Sequence, residues 1–190
     1  MGSLAQKVVL PFRISIASDK DWSKRADAVA TDEIKVYTDG SMQGDAVGAA
    51  AILYRNGKIT RSLCFHLGST EHHTVYEAEM VGLLLGIHLI KTEKASWRKC
   101  ALGADNQVAL QALQSELNNP SQHIVAEVIK IANQIAKARG TKNYKLMVRW
   151  TAGHIGIPPT IAWMRPRRIG SLFLSSAIPV SSFQAVCNVS

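Results

Sequence analysis

The sequence predicts an α/β fold: a five-stranded mixed β-sheet, three antiparallel strands and then parallel ones, flanked by helices. Two observations carry this expectation. Residues 34–66 hold three β-branched or small apolar runs separated by turn residues, the pattern of a hairpin meander. From residue 74 onward helical and strand-like segments alternate, and strands joined by helical crossovers lie parallel. The length of 190 residues is about one domain's worth of chain. A composition 47% hydrophobic and 19% charged supports a packed core and excludes collagen-like or wholly disordered classes.

Residues 1–33 mix Pro11, isolated apolar residues and charges without a sustained period, and are expected to be a leader or linker. Ile34-Lys35-Val36-Tyr37-Thr38 alternates and stops at Asp39-Gly40-Ser41, which gives a first strand ending in a carboxylate. Val47 to Tyr54 is a second strand. Asn56-Gly57 favours a type I′ hairpin turn, and Ile59 to His66 returns as the third strand. Thr74 to Thr92 contains no proline and is dense in Leu, Ile, Met and Ala, so it reads as a long buried helix, with Gly82 and Gly86 suited to close packing. Lys99 to Ala104 is a short buried strand leading to Asp105, and Asn106 to Leu113 has helical spacing. Ser121 is placed to cap a helix running to Ala138 that Gly140 closes, and Leu146 to Trp150 is the last strand.

The net charge of +8 is concentrated in one part of the chain. Residues 128–190 carry nine Lys or Arg and no acid, whereas residues 1–127 carry 13 basic and 14 acidic groups. Such asymmetry points to nucleic acid or an anionic surface. No apolar run is long enough to span a membrane, so a membrane partner is not expected. Cys64, Cys100 and Cys187 lie far apart without a CxxC pair, which argues against a disulfide scaffold or zinc site. With no secretory signal at the N-terminus, the expected location is intracellular, nucleus or cytoplasm, rather than secreted.

Three acids hold telling positions: Asp39 and Asp105 at strand ends, and Glu79 on the long helix. Strand ends on one sheet edge converge, and a helix across the sheet can add a carboxylate at the same spot. Clustered carboxylates repel unless a cation lies among them, and hard divalent ions, Mg²⁺ or Mn²⁺, prefer such oxygens. Two such ions can activate a water and stabilise the leaving oxygen of a phosphodiester. Taken singly, each acid also fits a cap or turn.

Four segments in order resemble the successive motifs of type 1 ribonuclease H, in particular the domains of fungal non-LTR retrotransposons: Tyr37-Thr38-Asp39-Gly40-Ser41, Glu77-Ala78-Glu79-Met80, Ala104-Asp105-Asn106-Gln107 and Trp150-Thr151-Ala152-Gly153-His154-Ile155-Gly156. The resemblance covers residues 34–158, which it delimits as a ribonuclease H-like domain. It implies metal-dependent endonucleolytic cleavage of the RNA strand of an RNA–DNA hybrid, by a monomer, with Mg²⁺ or Mn²⁺, two ions, on Asp39, Glu79 and Asp105. Glu79 matches the family acid; Glu77 lies two residues away, about 200° around the helix. A loop histidine has the unperturbed pKa needed to shuttle protons at a leaving group, and its Trp-x-x-Gly-His-x-Gly context assigns His154 that role. Gly40, Ser41, Gln43, Asn106 and Gln107 adjoin the acids and are candidates for phosphate or 2′-OH contact. A long basic insertion between Asp105 and His154 is absent.

The resemblance breaks after Pro158. The family carries a fourth acid about ten residues beyond the histidine, on a terminal helix; here Met164 stands at that distance and no acid follows. Trp163 and Met164 each have one codon, TGG and ATG, and the sequence TGGATG contains GAT, aspartate, in a neighbouring frame. If Arg165 is AGG, that frame continues Asp-Glu-Ala. The reading is that a small insertion or deletion, a splice change or a gene-model error near codon 158 replaced the terminal helix, leaving 159–190 as a divergent, poorly ordered tail. The rival function is a catalytically inactive nucleic-acid-binding remnant. A DDE-type transposase or integrase is disfavoured by the His154 motif and by the placement of Glu79.

Overall fold

The chain folds in order through β1 (Arg13–Ser15), α1 (Lys20–Ala28), β2 (Ile34–Gln43), β3 (Ala46–Arg55), β4 (Lys58–Ser69), α2 (Val75–Lys91), β5 (Lys99–Ala104), α3 (Gln107–Ala112), α4 (Gln122–Arg139) and β6 (Lys145–Trp150). The computed structural model describes residues 10–115, 121–140 and 144–153. One sheet has the order β1-β6-β5-β2-β3-β4. β2, β3 and β4 pair antiparallel, while β2, β5, β6 and β1 run parallel. Asn56 and Gly57 turn the β3–β4 hairpin with φ of 49° and 75°, the positive values that both central positions of a type I′ turn require.

The sheet thus has six strands where five were expected, and residues 13–28 are structured where a leader or linker was expected. The sixth strand is three residues long, too short to show a period, and it is specified by a distant partner: Ile14 pairs with Val148. α1 escaped notice because its buried residues are Ser23 and Asp27 rather than apolar ones. Its start was legible in Asp19, whose carboxylate accepts the Trp22 N–H at 2.8 Å. Ser121 precedes α4 as expected but makes no side-chain cap bond to it. Cys100 is a buried free thiol.

α2 is buried nearly all round, from Ala78 to Ile90, because it is held between the sheet and α4. Its two glycines let it lie close: a Cβ at Gly82 would sit 3.3 Å from the Asp39 carbonyl oxygen, and one at Gly86 2.5 Å from Leu102 Cδ1. The core joins Ile34, Val36, Leu53 and Leu102 of the sheet to Met80, Leu83 and Ile87 of α2 and to Ile124, Val128 and Ile131 of α4. Fully burying each such side chain contributes roughly 1.5–3 kcal/mol. Among the described residues no helix is long and apolar enough to cross a membrane.

Candidate active site

The parallel ladder between β2 and β5 pairs Thr38 with Ala104, so the next residues, Asp39 and Asp105, follow at the same end of two neighbouring strands. Neighbouring strands lie about 4.8 Å apart. Asp39 is 3% exposed and remains within β2, opposite Ala50 of β3. Asp105 is half-buried just past β5. Its carboxylate accepts the Gly153 N–H at 3.0 Å, and its carbonyl accepts the Trp150 Nε1–H at 2.8 Å.

Glu79 comes from the first turns of α2, whose start is set by a capping box: Thr74 Oγ1 accepts the Glu77 N–H, and the Glu77 carboxylate accepts the Thr74 N–H. The two glutamates are thus placed differently. Glu77 serves the helix end in solvent, while Glu79, 6% exposed, faces the sheet. The approach depends on Gly40, where a Cβ would fall 2.2 Å from the Glu79 backbone nitrogen, a contact no side chain can make.

Burial, and then the charges of Asp39 and Asp105, push the Glu79 carboxyl up to about 8 from an ordinary value near 4.5. Glu79 Oε2 is buried without a hydrogen-bond partner. Among the described residues no three His, Cys, Asp or Glu side chains are drawn close enough to hold a metal ion, so the carboxylates are repelling neighbours and not a finished cage. The donor set is nevertheless all oxygen, and an unsatisfied carboxylate facing two others is relieved by a hard cation. The residues therefore fit Mg²⁺ or Mn²⁺.

A pH dependence follows. Between about pH 4.5 and 8 folded Glu79 holds a proton that the unfolded chain has released, so its contribution to stability falls as pH rises through that window. Glu79→Gln is expected to raise the melting temperature of the metal-free protein at pH 8.5 and change it little at pH 4.5. The difference in stability should be on the order of 2–4 kcal/mol. Thermal melts at the two pH values check this, and equal effects at both would contradict the repulsion.

The other expected site residues divide. Ser41 is half-buried and Gln43 exposed on β2 beyond Asp39. Gly40 lies directly against the α2 backbone at Glu79. The Asn106 side-chain oxygen caps α3 by accepting the Ala109 N–H at 3.1 Å, and Gln107 opens that helix. His154, Met164 and the 159–190 tail lie outside the described residues. Sequence reasoning missed Ser23, Asp27 and Arg149. The Asp27 carboxylate accepts the Tyr37 hydroxyl at 2.7 Å and lies 3.5 Å from Lys35 Nζ and 3.6 Å from Arg149 Nη1, while Arg149 Nη2 is 2.9 Å from Asp32. This network seats α1 on the sheet, so Arg149 is not part of the outward basic surface.

A mixed sheet with carboxylates at the adjacent ends of β2 and β5, and a third brought in by α2, defines a type 1 ribonuclease H-like domain. The chain belongs to the reverse transcriptase-like family, whose pattern matches residues 37–144, more than half of its length. Among solved structures it is similar to ribonuclease H1 from the halophilic archaeon Halobacterium salinarum, with 14% identity and a TM-score of 0.44 over 63% of this chain and 85% of that one. It is also similar to the N-terminal ribonuclease H domain of rv2228c from Mycobacterium tuberculosis, with 15% identity and a TM-score of 0.45 over 64% and 84%. A third is LC11 ribonuclease H1 in complex with an RNA/DNA hybrid, with 16% identity and a TM-score of 0.45 over 60% and 83%. No curated protein matches the chain.

Proposed function

We propose that the chain is a ribonuclease H: a metal-dependent endonuclease that cleaves the RNA strand of RNA–DNA hybrids, derived from a retroelement. The observation that carries this reading is Glu79, a buried carboxyl whose affinity for its proton is raised by Asp39 and Asp105 beside it. Asp39, Glu79 and Asp105 would hold Mg²⁺ or Mn²⁺, in two sites, and the ions would supply charge stabilisation and an activated water. The absence of a Cβ at Gly40 lets Glu79 approach the sheet, and the Gly153 N–H holds the Asp105 carboxylate. His154, one residue beyond Gly153, moves a proton to the leaving oxygen. Gly40, Ser41, Gln43, Asn106 and Gln107 contact the hybrid backbone and its 2′-OH groups.

Incubating the protein with labelled RNA–DNA hybrid in Mg²⁺, Mn²⁺ or chelator tests the reading. Cleavage of the RNA strand that chelator stops is the expected result; intact hybrid under all three conditions would sink it. The second reading, a noncatalytic hybrid-binding remnant, draws on the absence of any acid after Glu127.

Both readings require binding that weakens with salt, because basic side chains displace counterions from phosphates. Among the described residues, two cations of the basic segment 128–190 are engaged within the protein. Arg149 is paired internally, and Arg139 lies 4.1 Å from the Trp97 ring centre and donates to the Glu93 carbonyl. Among the described residues from 128 onward, Lys130, Lys137 and Lys145 are exposed, of which Lys130 pairs with Glu127. Hybrid affinity measured from 50 to 300 mM salt should fall, with a logarithmic slope of about −0.7 to −0.9 per phosphate neutralised. Lys137→Ala should shallow the slope, and affinity independent of salt would contradict the assignment.

A further inference from the structure

We propose that Ser23 is a positioning residue for Asp105: it ties down the turn after β6 whose Gly153 N–H holds the Asp105 carboxylate. The proposal rests on the nuclease reading above and adds to it a segment that precedes the family-matched residues 37–144.

Backbone groups at the end of β6 need partners. The β5–β6 ladder ends at the pair Ala104 and Trp150, and Thr151 adds one more bond, its N–H donating to the Ala104 carbonyl at 2.9 Å. Beyond that point the ladder supplies nothing, yet the chain is still buried at Thr151 and Ala152. Buried N–H and carbonyl groups must be satisfied by something else. Ser23, itself buried on α1, does both tasks with one oxygen: its hydroxyl donates to the Trp150 carbonyl at 2.8 Å, and its Oγ accepts the Ala152 N–H at 3.0 Å.

The turn so closed carries the bonds to Asp105. Gly153 takes a φ of 86°, and its N–H meets Asp105 Oδ1 at 3.0 Å. Trp150, whose carbonyl Ser23 holds, donates its indole N–H to the Asp105 carbonyl at 2.8 Å. Asp105 is therefore gripped at its main chain and at its carboxylate by two residues of the segment that Ser23 pins. Alanine at position 23 would leave the Trp150 carbonyl and Ala152 N–H unpaired, and the turn would move toward water. Threonine keeps a hydroxyl in reach.

The seat of α1 depends on a different contact one helical turn later, the Asp27 network with Tyr37, Lys35 and Arg149. The two roles can thus be separated by mutation. Ser23→Ala in the full chain is expected to lower kcat for Mn²⁺-dependent hybrid cleavage roughly 10-fold, as loss of a residue behind a metal ligand does, with KM little changed. Assays run well below each variant's melting temperature. Ser23→Thr should restore most of kcat. Asp27→Asn should lower the melting temperature at least as much as Ser23→Ala while reducing kcat less. An unchanged kcat in Ser23→Ala, or a loss in Asp27→Asn as large, would overturn the proposal.

A second readout needs no cleavage. The amide resonance of Gly153, followed by ¹⁵N–¹H NMR, should move in Asp105→Asn, move the same way in Ser23→Ala and stay in place in Ser23→Thr. If the wild-type chain does not cut hybrid, the nuclease reading fails while this measurement still decides the tie. A Gly153 amide indifferent to Ser23→Ala overturns it.

Discussion

Asp39→Asn is expected to abolish divalent-dependent cleavage of RNA–DNA hybrid while leaving the fold intact. Asp39 adjoins both other carboxylates: it follows the last β2–β5 pair, beside Asp105, and it is one residue from Gly40, against which Glu79 is pressed. Loss of its charge removes one of the three carboxylates proposed to hold the cation, and the rate should fall roughly 10³-fold or more, given the several kcal/mol that metal charge stabilisation contributes. The backbone ladder to Ala50 does not depend on the carboxylate. Because Asp39, after burial, raises the Glu79 carboxyl more than Asp105 does, its neutralisation should also draw that carboxyl part of the way back toward ordinary values and raise metal-free stability above pH 7. A cleavage assay and thermal melts at pH 8 read the two effects. Cleavage that survives the substitution would remove Asp39 from the site, and a lower melting temperature at pH 8 would show that its charge is held by something other than repulsion.

The opposite consequences for rate and stability explain why this part of the molecule was legible in sequence and other parts were not. An acid directly after a β-branched strand, as at Tyr37-Thr38-Asp39, leaves a local mark, and so does Glu79 in an apolar helix where a charge has no packing reason to be. The Asn56-Gly57 hairpin and the apolar periods of α2 and α4 are equally local. α1 and β1 leave no such mark, because what makes them part of the domain is contact across more than a hundred residues: Arg13 with Met147, and Ser23 with Trp150. Buried polar residues that satisfy distant backbone have no period to reveal them. For the same reason Arg149 counted toward a basic surface in sequence, though Asp27 and Asp32 hold it inside. Asn106 and Gly40 carry structural duties that adjacency to an acid does not announce: the Asn106 side-chain oxygen caps α3, and the missing Cβ of Gly40 admits the Glu79 backbone.

Replacing residues 159–190 with the neighbouring-frame sequence is expected to raise cleavage by an order of magnitude or more. The three acids Asp39, Glu79 and Asp105 supply one side of the site, and Met164 stands where the resemblance expects a fourth carboxylate. A second cation would then have too few charged ligands, which weakens stabilisation of the leaving oxygen more than it weakens phosphate contacts by exposed lysines such as Lys137 and Lys145. Hybrid affinity should therefore change less than kcat when the aspartate encoded by the GAT within TGGATG is restored, and a gain of roughly tenfold corresponds to only about 1.4 kcal/mol of barrier. A double variant, the repaired tail with its restored aspartate changed to asparagine, separates the carboxylate from the terminal helix that carries it. Loss of the gain in that variant assigns it to the charge; retention assigns it to the helix. Sequencing transcript and genomic DNA across codon 158 tests the origin of the tail independently, with an in-frame transcript encoding 159–190 as the result against a frame change. A repaired protein that folds, binds hybrid and cuts no faster would show that the missing acid is not what limits this site.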